Sequence, residues 1–247
     1  DFAQKTAPFA HMGARVLGGC CGTTPAHLAA LAQAVRGVEN ITPPSVTRRG
    51  ICLTNRSQMV RIAVGEPLTI IGERINPTGK KALTQELQAG LFDVAMQLAD
   101  AQVDAGATIL DVNVGAPLVD ETQLLPELVQ RLVGRLPMPL SIDSSNATAI
   151  ANALPYCPGS FLVNSISGEA GRMEQLGPLC RDFGAPFILL PLQGAHLPEK
   201  AAERISTVES LIEKAEAMGI SRRLMMVDIL ALAVSSSADS ALQCLEM

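Results

Sequence analysis

The feature that most constrains the fold is a regular alternation, after Pro67, of short apolar runs with longer helical patterns. The runs are almost continuously apolar, which is typical of strands buried on both faces. Strands that alternate with helices in this way predict a parallel sheet in an α/β domain. The predicted strands are 68–72, 108–112, 139–142, 161–163, 186–190 and 224–227.

Two architectures share this pattern, a closed (β/α)8 barrel and an open doubly wound sheet. The predicted helices are 81–105, 121–136, one beginning near 147, 172–183, 198–218 and 238–245. A closed barrel needs eight strand–helix units, and residues 68–247 contain six. The alternation alone leaves both architectures open.

The first part of the chain has a different organisation. Residues 13–19 predict a strand that ends in glycines. Thr24 is predicted to cap a helix that has Pro25 in its first turn and runs to about Arg36. Residues 38–67 have no helical period and predict a linker with one short hairpin.

Charge and composition exclude several classes of protein. The chain has 19 basic and 24 acidic residues, a net charge of −5, with one Tyr and no Trp. Nucleic-acid binders normally present a basic stripe or aromatic platforms, so we expect no nucleic-acid partner. No apolar run approaches the roughly 20 residues of a membrane helix, so no membrane partner is expected either. Six sparse cysteines and no signal region predict reduced thiols and a cytoplasmic location.

Short polar side chains end nearly every predicted strand. The carboxyl ends of parallel strands meet at one edge, where ligands bind in such folds. A single Asp or Asn there is usually a helix cap, but five of six strand ends carrying one favours a binding site. A carboxylate can accept two parallel hydrogen bonds from the 2-amino-4-oxo-pyrimidine edge of a pterin, as it does from Arg. Mg²⁺ could use the same oxygens, so both ligands remain open. The candidates are Asn76, Asp111, Asn113, Asp143, Asn164 and Asp228.

The adjacent pair Cys20-Cys21 is the second unusual feature. Glycines at 18, 19 and 22 flank the pair, and they allow the backbone to turn so that both sulfurs point one way. Two thiolates are half of a zinc site. The alternative is a pair of small buried apolar residues, and no third ligand is evident nearby.

Several motifs together resemble the cobalamin-dependent methionine synthases. GARVLGGCCGTTPAHL resembles the end of their homocysteine-binding zinc barrel. GERINPTGKK, LDVNVGAP, SIDSSN and VNSISGE resemble the pterin-binding barrel that follows. That barrel is shared with corrinoid methyltransferases and, more distantly, with dihydropteroate synthases.

The resemblance implies a fold and a domain order. The fold is an α/β, TIM-type (β/α)8 barrel that binds a pterin and is incomplete at its C-terminus, with about six of its eight units present. The last strand and helix of another barrel would precede it. The implied regions are 1–37 for the zinc-barrel end, 38–67 for the linker and 68–247 for the pterin barrel. The chain is then expected to be a piece of a larger enzyme, in keeping with its start at Asp1.

The resemblance also assigns roles to residues. It implies that Asn164 is catalytic and binds the pterin together with Asp143 and Asp228, although Ile229 stands where the family has proline. It implies that Cys20 and Cys21 are zinc ligands, with the third cysteine on a strand that this chain lacks. The additional candidate pterin ligands, which sit at matching strand ends, are Asp111, Asn113 and Asn76.

The activity implied is methyl transfer from 5-methyltetrahydrofolate to cob(I)alamin, leading to methylation of homocysteine to methionine. Cobalamin would be held by another domain of the same protein, and zinc would activate homocysteine. Two alternatives stay open. One is a corrinoid methyltransferase or a dihydropteroate synthase-like pterin enzyme. The other is a non-catalytic fragment that only binds folate.

Overall fold

A computed structural model describes residues 1–38, 50–194, 196–233, 235 and 239–247. The chain divides into two compact units, 1–48 and 49–247. In the first unit, helix α1 (Phe2–His11) packs against helix α2 (Pro25–Ala34), with Ala10 and Leu31 buried. Residues 39–49 of the predicted linker lie outside the described residues.

The start of α2 confirms the predicted cap. The Thr24 side chain accepts a hydrogen bond from the His27 amide, and His27 Nδ1 accepts one from the Thr24 amide at 3.0 Å. These reciprocal bonds form a capping box, which satisfies two amides at the helix start. The predicted strand at 13–19 is not formed, because a strand needs a hydrogen-bonded neighbour and residues 13–24 pair with none. Helix α1 was not predicted.

The second unit contains a hairpin followed by a parallel sheet. Its strands are β1 (Ile51–Thr54), β2 (Met59–Ile62), β3 (Ile71–Ile75), β4 (Ile109–Val112), β5 (Leu140–Asp143), β6 (Leu162–Ile166), β7 (Phe187–Leu189) and β8 (Met225–Val227). Its helices are α3 (Lys81–Gln88), α4 (Asp93–Asp104), α5 (Glu121–Arg135), α6 (Ala147–Ala153), α7 (Arg172–Phe183), α8 (Ala201–Ala217) and α9 (Ser240–Glu246). The six predicted strand–helix units are therefore present. Within the described residues, no helix is long and apolar enough to cross a bilayer.

The structure differs from the predicted boundaries in the first unit of the sheet. Strand β3 begins at Ile71 because its ladder with β4 begins where Ile71 faces Ile109. The predicted helix 81–105 is two helices, α3 and α4, which are separated at Gly90 with φ of 69°. A left-handed glycine ends a helix at little cost. Glu86 then caps α4 by accepting the Val94 amide at 2.7 and 2.8 Å.

Strand order and helix placement decide between the two architectures. Strands β3 to β8 lie side by side in chain order, and all their pairings are parallel. Alternate strand residues, such as Leu110, Ile142 and Phe187, form one apolar core together with buried residues of α3 to α8. A doubly wound sheet reverses its strand order and carries helices on both faces. Sequential strands with helices on one face form the wall of a (β/α)8 barrel.

The inner face of this wall, opposite the helices, is covered near its amino end by the hairpin. Leu53 is fully buried against Ile109, Leu162 and Ile188. The Thr54 amide also donates to the carbonyl oxygen of Ser160 at 2.8 Å. The predicted hairpin is thus confirmed, and it packs on the sheet of the second unit.

We expect one side chain in the hairpin turn to contribute measurably to the free energy of unfolding. Asn55, which is 8% exposed, donates from Nδ2 to the carbonyl oxygens of Leu136 and Met138 at 3.0 and 2.9 Å. Asn55→Ala leaves both buried acceptors unpaired, and we expect urea unfolding to show a loss of about 1–3 kcal/mol. The matched control is Asn152→Ala, because exposed Asn152 donates a single bond to Thr122. Equal losses in the two variants would contradict a tethering role for Asn55.

Candidate functional site

Four of the predicted ligands share the inner face of the sheet because side chains alternate along strands. On β4, Leu110 and Val112 join the helix-facing core, so Asp111 between them points inward. On β5, Asp143 is separated from Ser141 by the outward Ile142, and Asp143 is level with Asn164 of β6. The strand register therefore brings these polar side chains together on the inner face, at the carboxyl ends of the strands. The hairpin covers the apolar residues nearer the amino ends.

Two hydrogen bonds connect these residues across the strands. Asn113 Nδ2 donates to Asp143 Oδ2 at 2.7 Å, and Asn164 Nδ2 donates to Asp111 Oδ1 at 3.0 Å. Asn113 Oδ1 also accepts the Gly115 amide at 2.7 Å, so its amide group is engaged at both ends. Among the described residues, no side-chain partner engages Asp143 Oδ1 or Asn164 Oδ1. The two bonds orient these oxygens and leave them available to a ligand.

The other two predicted ligands stand apart from this cluster. Asn76 Oδ1 accepts the amide of Thr78 at 3.0 Å, within the loop after β3. Exposed Asp228 follows β8, and its Oδ1 accepts the amide of Leu230 at 2.8 Å. Both side chains shape their own strand-end loops, on the first and last strands of the sheet. Their roles as pterin ligands stay predictions.

The Asp111 carboxyl group is almost fully buried, at 1% exposure. Burial, followed by the nearby charge of Asp143, raises the pKa of Asp111 to about 7. Its Oδ2 is buried without a hydrogen-bond partner among the described residues. Asp111 can therefore hold a proton at Oδ2 at neutral pH while Oδ1 orients the Asn164 amide.

Burial also raises the pKa of Asp143, although the hydrogen bond from Asn113 opposes the shift. The charges of Glu73 and Glu121 raise that pKa further. The cluster thus carries more acceptors than donors, which suits a ligand edge rich in N–H groups. Within the described residues, no group of three His, Cys, Asp or Glu is placed to hold a metal ion.

The two predicted zinc ligands lie in the first unit. Cys20 and Cys21 are both exposed and stand at the start of a turn that precedes α2. A catalytic zinc site takes three protein ligands and keeps a fourth position open, and the described part of the chain supplies no third ligand beside this pair. The residues described here therefore do not make a complete zinc site, and the zinc assignment stays a prediction.

Sequence reasoning missed two residues that support the cluster. Glu121, in the first turn of α5, accepts a hydrogen bond from Ser144 Oγ at 2.6 Å. Arg172, the first residue of α7, is 8% exposed and donates to two backbone carbonyls just after β5 and to one near the end of β6. The sequence did contain an indication for Arg172, because the predicted helix begins with this arginine and a cation in the first turn of a helix is unfavourable to the helix dipole.

Solved dihydropteroate synthases have a similar fold. The enzyme of Yersinia pestis, solved with a pterine–sulfa conjugate, is 25% identical with a TM-score of 0.52, over 72% of this chain and 64% of that one. The enzyme of Xanthomonas albilineans, solved with 7,8-dihydropteroate, is 19% identical with a TM-score of 0.54, over 79% of this chain and 70% of that one. The chain thus spans slightly less than two-thirds of the length of the Yersinia pestis enzyme.

Two protein families match separate parts of the chain. Residues 1–35 match the homocysteine S-methyltransferases. Residues 72–246, well over half of the chain, match the pterin-binding enzymes. The second match coincides with the six-stranded wall and its Asp111–Asn164 and Asn113–Asp143 pairs. With its TIM-type α/β barrel fold and this match, the chain belongs to the family of pterin-binding enzymes.

Proposed function

We propose that this chain binds 5-methyltetrahydrofolate and takes part in transfer of its N5 methyl group to cob(I)alamin, which leads to methylation of homocysteine to methionine. The observation that carries the proposal is a pair of oxygens at level positions on β5 and β6, Asp143 Oδ1 and Asn164 Oδ1, which have no side-chain partner in the described part of the chain. The match of residues 1–35 to homocysteine S-methyltransferases supports a methyl-transfer reaction over other pterin chemistry.

The proposed role of Asp143 is orientation of the pterin. Its carboxylate would accept two parallel N–H bonds from the 2-amino-4-oxo-pyrimidine edge, the geometry that carboxylates adopt with Arg. Asp228 would accept from the same edge. A pterin ring that is held in one orientation also fixes the direction of the bond between N5 and its methyl group. The nucleophile can then attack in line with that bond without a prior rotation of the substrate.

The proposed role of Asn164 is stabilisation of charge at N5. A tertiary amine is a poor leaving group, so N5 must carry a proton in the transition state. Because Asn164 Nδ2 donates to Asp111 Oδ1, the amide presents its Oδ1 to the site, and Oδ1 can accept a hydrogen bond from N5–H⁺. A preoriented dipole of this kind stabilises developing charge without reorganisation.

Two groups outside these residues complete the proposed reaction. Cob(I)alamin, held by another domain of the same protein, would supply the nucleophile for the methyl group. Zinc, with Cys20 and Cys21 among its ligands, would lower the thiol pKa of homocysteine. The chain's own contribution is binding and orientation of the folate. Cytoplasmic location is part of the same proposal.

The second candidate is a dihydropteroate synthase-like reaction. It is favoured by the fold shared with dihydropteroate synthases, two of which were solved with pterin-type ligands. The match of residues 1–35 does not support it, because that reaction involves no homocysteine chemistry.

Parallel assays with the full chain separate the candidates. In one, 5-methyltetrahydrofolate and chemically reduced free cobalamin are mixed with the protein, and methylcobalamin is followed by absorbance. In the other, a dihydropterin pyrophosphate and p-aminobenzoate are supplied, and dihydropteroate is measured. The chain alone, as part of a larger enzyme, is expected to have little activity, and any product that it forms is expected to be methylcobalamin and not dihydropteroate. Dihydropteroate formation would overturn the proposal, and folate binding with neither product would favour the non-catalytic reading.

A further inference from the structure

Arg172 is held in a position that ordinarily disfavours arginine. It is 8% exposed, and it is the first residue of α7. Burial lowers the pKa of its guanidinium group, and a cation at the amino end of a helix opposes the helix dipole. Among the described residues it forms no ion pair, so backbone carbonyls satisfy its donors. Both the burial of the charge and its place at the amino end of the helix lower the stability of the fold. Arg172 therefore requires an explanation other than the stability of α7.

The three acceptors of Arg172 lie at the carboxyl ends of the strands that carry two candidate ligands, two just after β5 and one within the last residues of β6. Nη2 donates to the carbonyl of Ser144 at 2.6 Å, and Nη1 donates to that of Ser145 at 2.7 Å. Nε donates to the carbonyl of Ser165 at 3.0 Å. Ser144 directly follows Asp143, and Ser165 directly follows Asn164. One guanidinium group thus joins the ends of β5 and β6 just beyond their candidate ligands.

Arg204 repeats the arrangement at the other end of the sheet. It is 3% exposed, lies in the first turn of α8, and forms no ion pair among the described residues. Nε donates to the carbonyl of Pro198 at 2.8 Å, and Nη1 donates to that of Ile229 at 3.2 Å. Ile229 directly follows Asp228, the third candidate pterin ligand.

The shared geometry has a direct mechanical consequence. Peptide groups are planar and stiff, so holding the carbonyl of a residue fixes that residue's own Cα, and only one further peptide group joins this Cα to the preceding, ligand-bearing residue. Arginine can do this at several carbonyls at once, because its planar fork carries five donors with fixed directions. Lysine presents a single flexible ammonium group and cannot span three diverging acceptors.

We infer that Arg172 and Arg204 are positioning residues for the pterin ligands of this barrel. Each donates to the backbone carbonyl of the residue that follows a ligand, and so holds the end of the strand where that ligand lies. Arg172 acts on Asp143 and Asn164, and Arg204 acts on Asp228. The inference rests on the proposed function in one respect, the assignment of these three side chains to the pterin.

The first test measures binding of 5-methyltetrahydrofolate and of 6-methylpterin to the full chain by calorimetry. Arg172→Gln and Arg172→Lys are expected to weaken both ligands by the same factor of about tenfold or more, since small misplacements of binding groups are costly. Arg204→Gln is expected to weaken both in the same way. The control, Arg181→Gln, removes an exposed arginine from the same helix as Arg172 and should leave both affinities unchanged. Affinities equal to the parent's in folded Arg172 and Arg204 variants would overturn the inference.

A double-variant cycle separates positioning from general support of the fold. If Arg172 acts through Asp143 and Asn164, Arg172→Gln should cost less affinity in an Asp143→Ala background than in the parent, because only its effect on Asn164 remains and coupled residues are not additive. Losses that add in full would show that Arg172 acts independently of Asp143. That result would also overturn the inference.

Hydrogen exchange supplies a readout that does not depend on any ligand. Arg172→Gln should speed amide exchange in residues 144–146 and 165–170, whereas Arg204→Gln should speed it in residues 228–233. Uniform acceleration across the sheet would instead indicate a global loss of stability and contradict local positioning. Failure of the parent chain to bind either pterin would refute the proposed function, while the exchange pattern would still decide whether the arginines hold these loops.

Discussion

Replacing Asp143 with alanine is expected to lower the affinity for 5-methyltetrahydrofolate by more than about tenfold, the equivalent of 1.4 kcal/mol. The reason is the loss of a half-buried carboxylate whose Oδ1 is unengaged and whose Oδ2 is oriented by Asn113 at 2.7 Å. Charge-assisted, paired hydrogen bonds of this kind are among the strongest that a side chain can offer a ligand. Calorimetric titration of the full chain measures the effect.

A second substitution makes the Asp143 experiment specific. Asp143→Asn preserves the shape and can still accept the Asn113 bond, but it replaces one acceptor oxygen with an NH2 donor. That donor faces the N–H groups of the pterin edge, so the affinity should fall about as far as with alanine. Asp182→Ala is the control, because Asp182 is exposed at the far end of α7 and pairs with Arg181. An unchanged affinity in folded Asp143→Ala would refute its role as a pterin ligand.

Replacing Asp111 with asparagine is expected to flatten the dependence of stability on pH between about 4 and 7. The pKa of Asp111 is raised by burial to about 7, whereas an unfolded aspartate titrates near pH 4. The folded chain therefore holds more protons than the unfolded chain in this interval. Stability from this group is complete below about pH 4 and is lost as the pH rises through 7.

The size of the Asp111 effect follows from the same linkage. A shift of three pKa units corresponds to about 4 kcal/mol. The free energy of unfolding of the parent chain is therefore expected to fall by at most that amount between pH 4 and 8. Asparagine keeps an oxygen to accept the Asn164 bond and carries no charge to bury. Asp111→Asn should therefore be more stable than the parent at pH 8, by urea unfolding across the pH series. Asp182→Asn serves as the exposed control.

One result would contradict this account of Asp111. If Asp111→Asn and the parent lost stability in parallel from pH 4 to 8, Asp111 would not be the group that titrates. The raised pKa of Asp143 has the same sign, so the variant is expected to keep a smaller remaining slope. Removing the charge of Asp111 also removes one cause of mutual repulsion in the pair.

The sequence predicted most of the elements and the chemical type of the site. The apolar runs of five strands lie where the structure has β4 to β8, because strands buried on both faces are recognisable without any knowledge of their neighbours. The Thr24 cap was equally local and was confirmed. The strand expected at residues 13–19 failed for the opposite reason, since its formation depends on a partner strand that a local pattern does not supply.

The candidate site was predicted as a set of residue types and not as a set of contacts. Asp111 and Asn164 are 53 positions apart, and their hydrogen bond exists because β4, β5 and β6 are neighbours in a fixed register. The same reasoning explains why Asn76 and Asp228 were grouped with them although their side chains bond within their own loops. Strand-end position brings residues to one edge of the sheet, but register decides which of them meet.

Local sequence patterns were enough to predict an α/β domain of six strand–helix units, with carboxylates and amides at the strand ends. These properties depend on the periodicity and composition of short segments, which can be recognised without knowing the contacts between them. Three features are visible only in the folded chain: the strands run in sequential order with the helices on one face, the hairpin covers the inner face near its amino end, and two buried arginines donate to the backbone carbonyls that directly follow Asp143, Asn164 and Asp228. Those features depend on contacts between residues far apart in the chain, where each side chain's surroundings are set by packing and register.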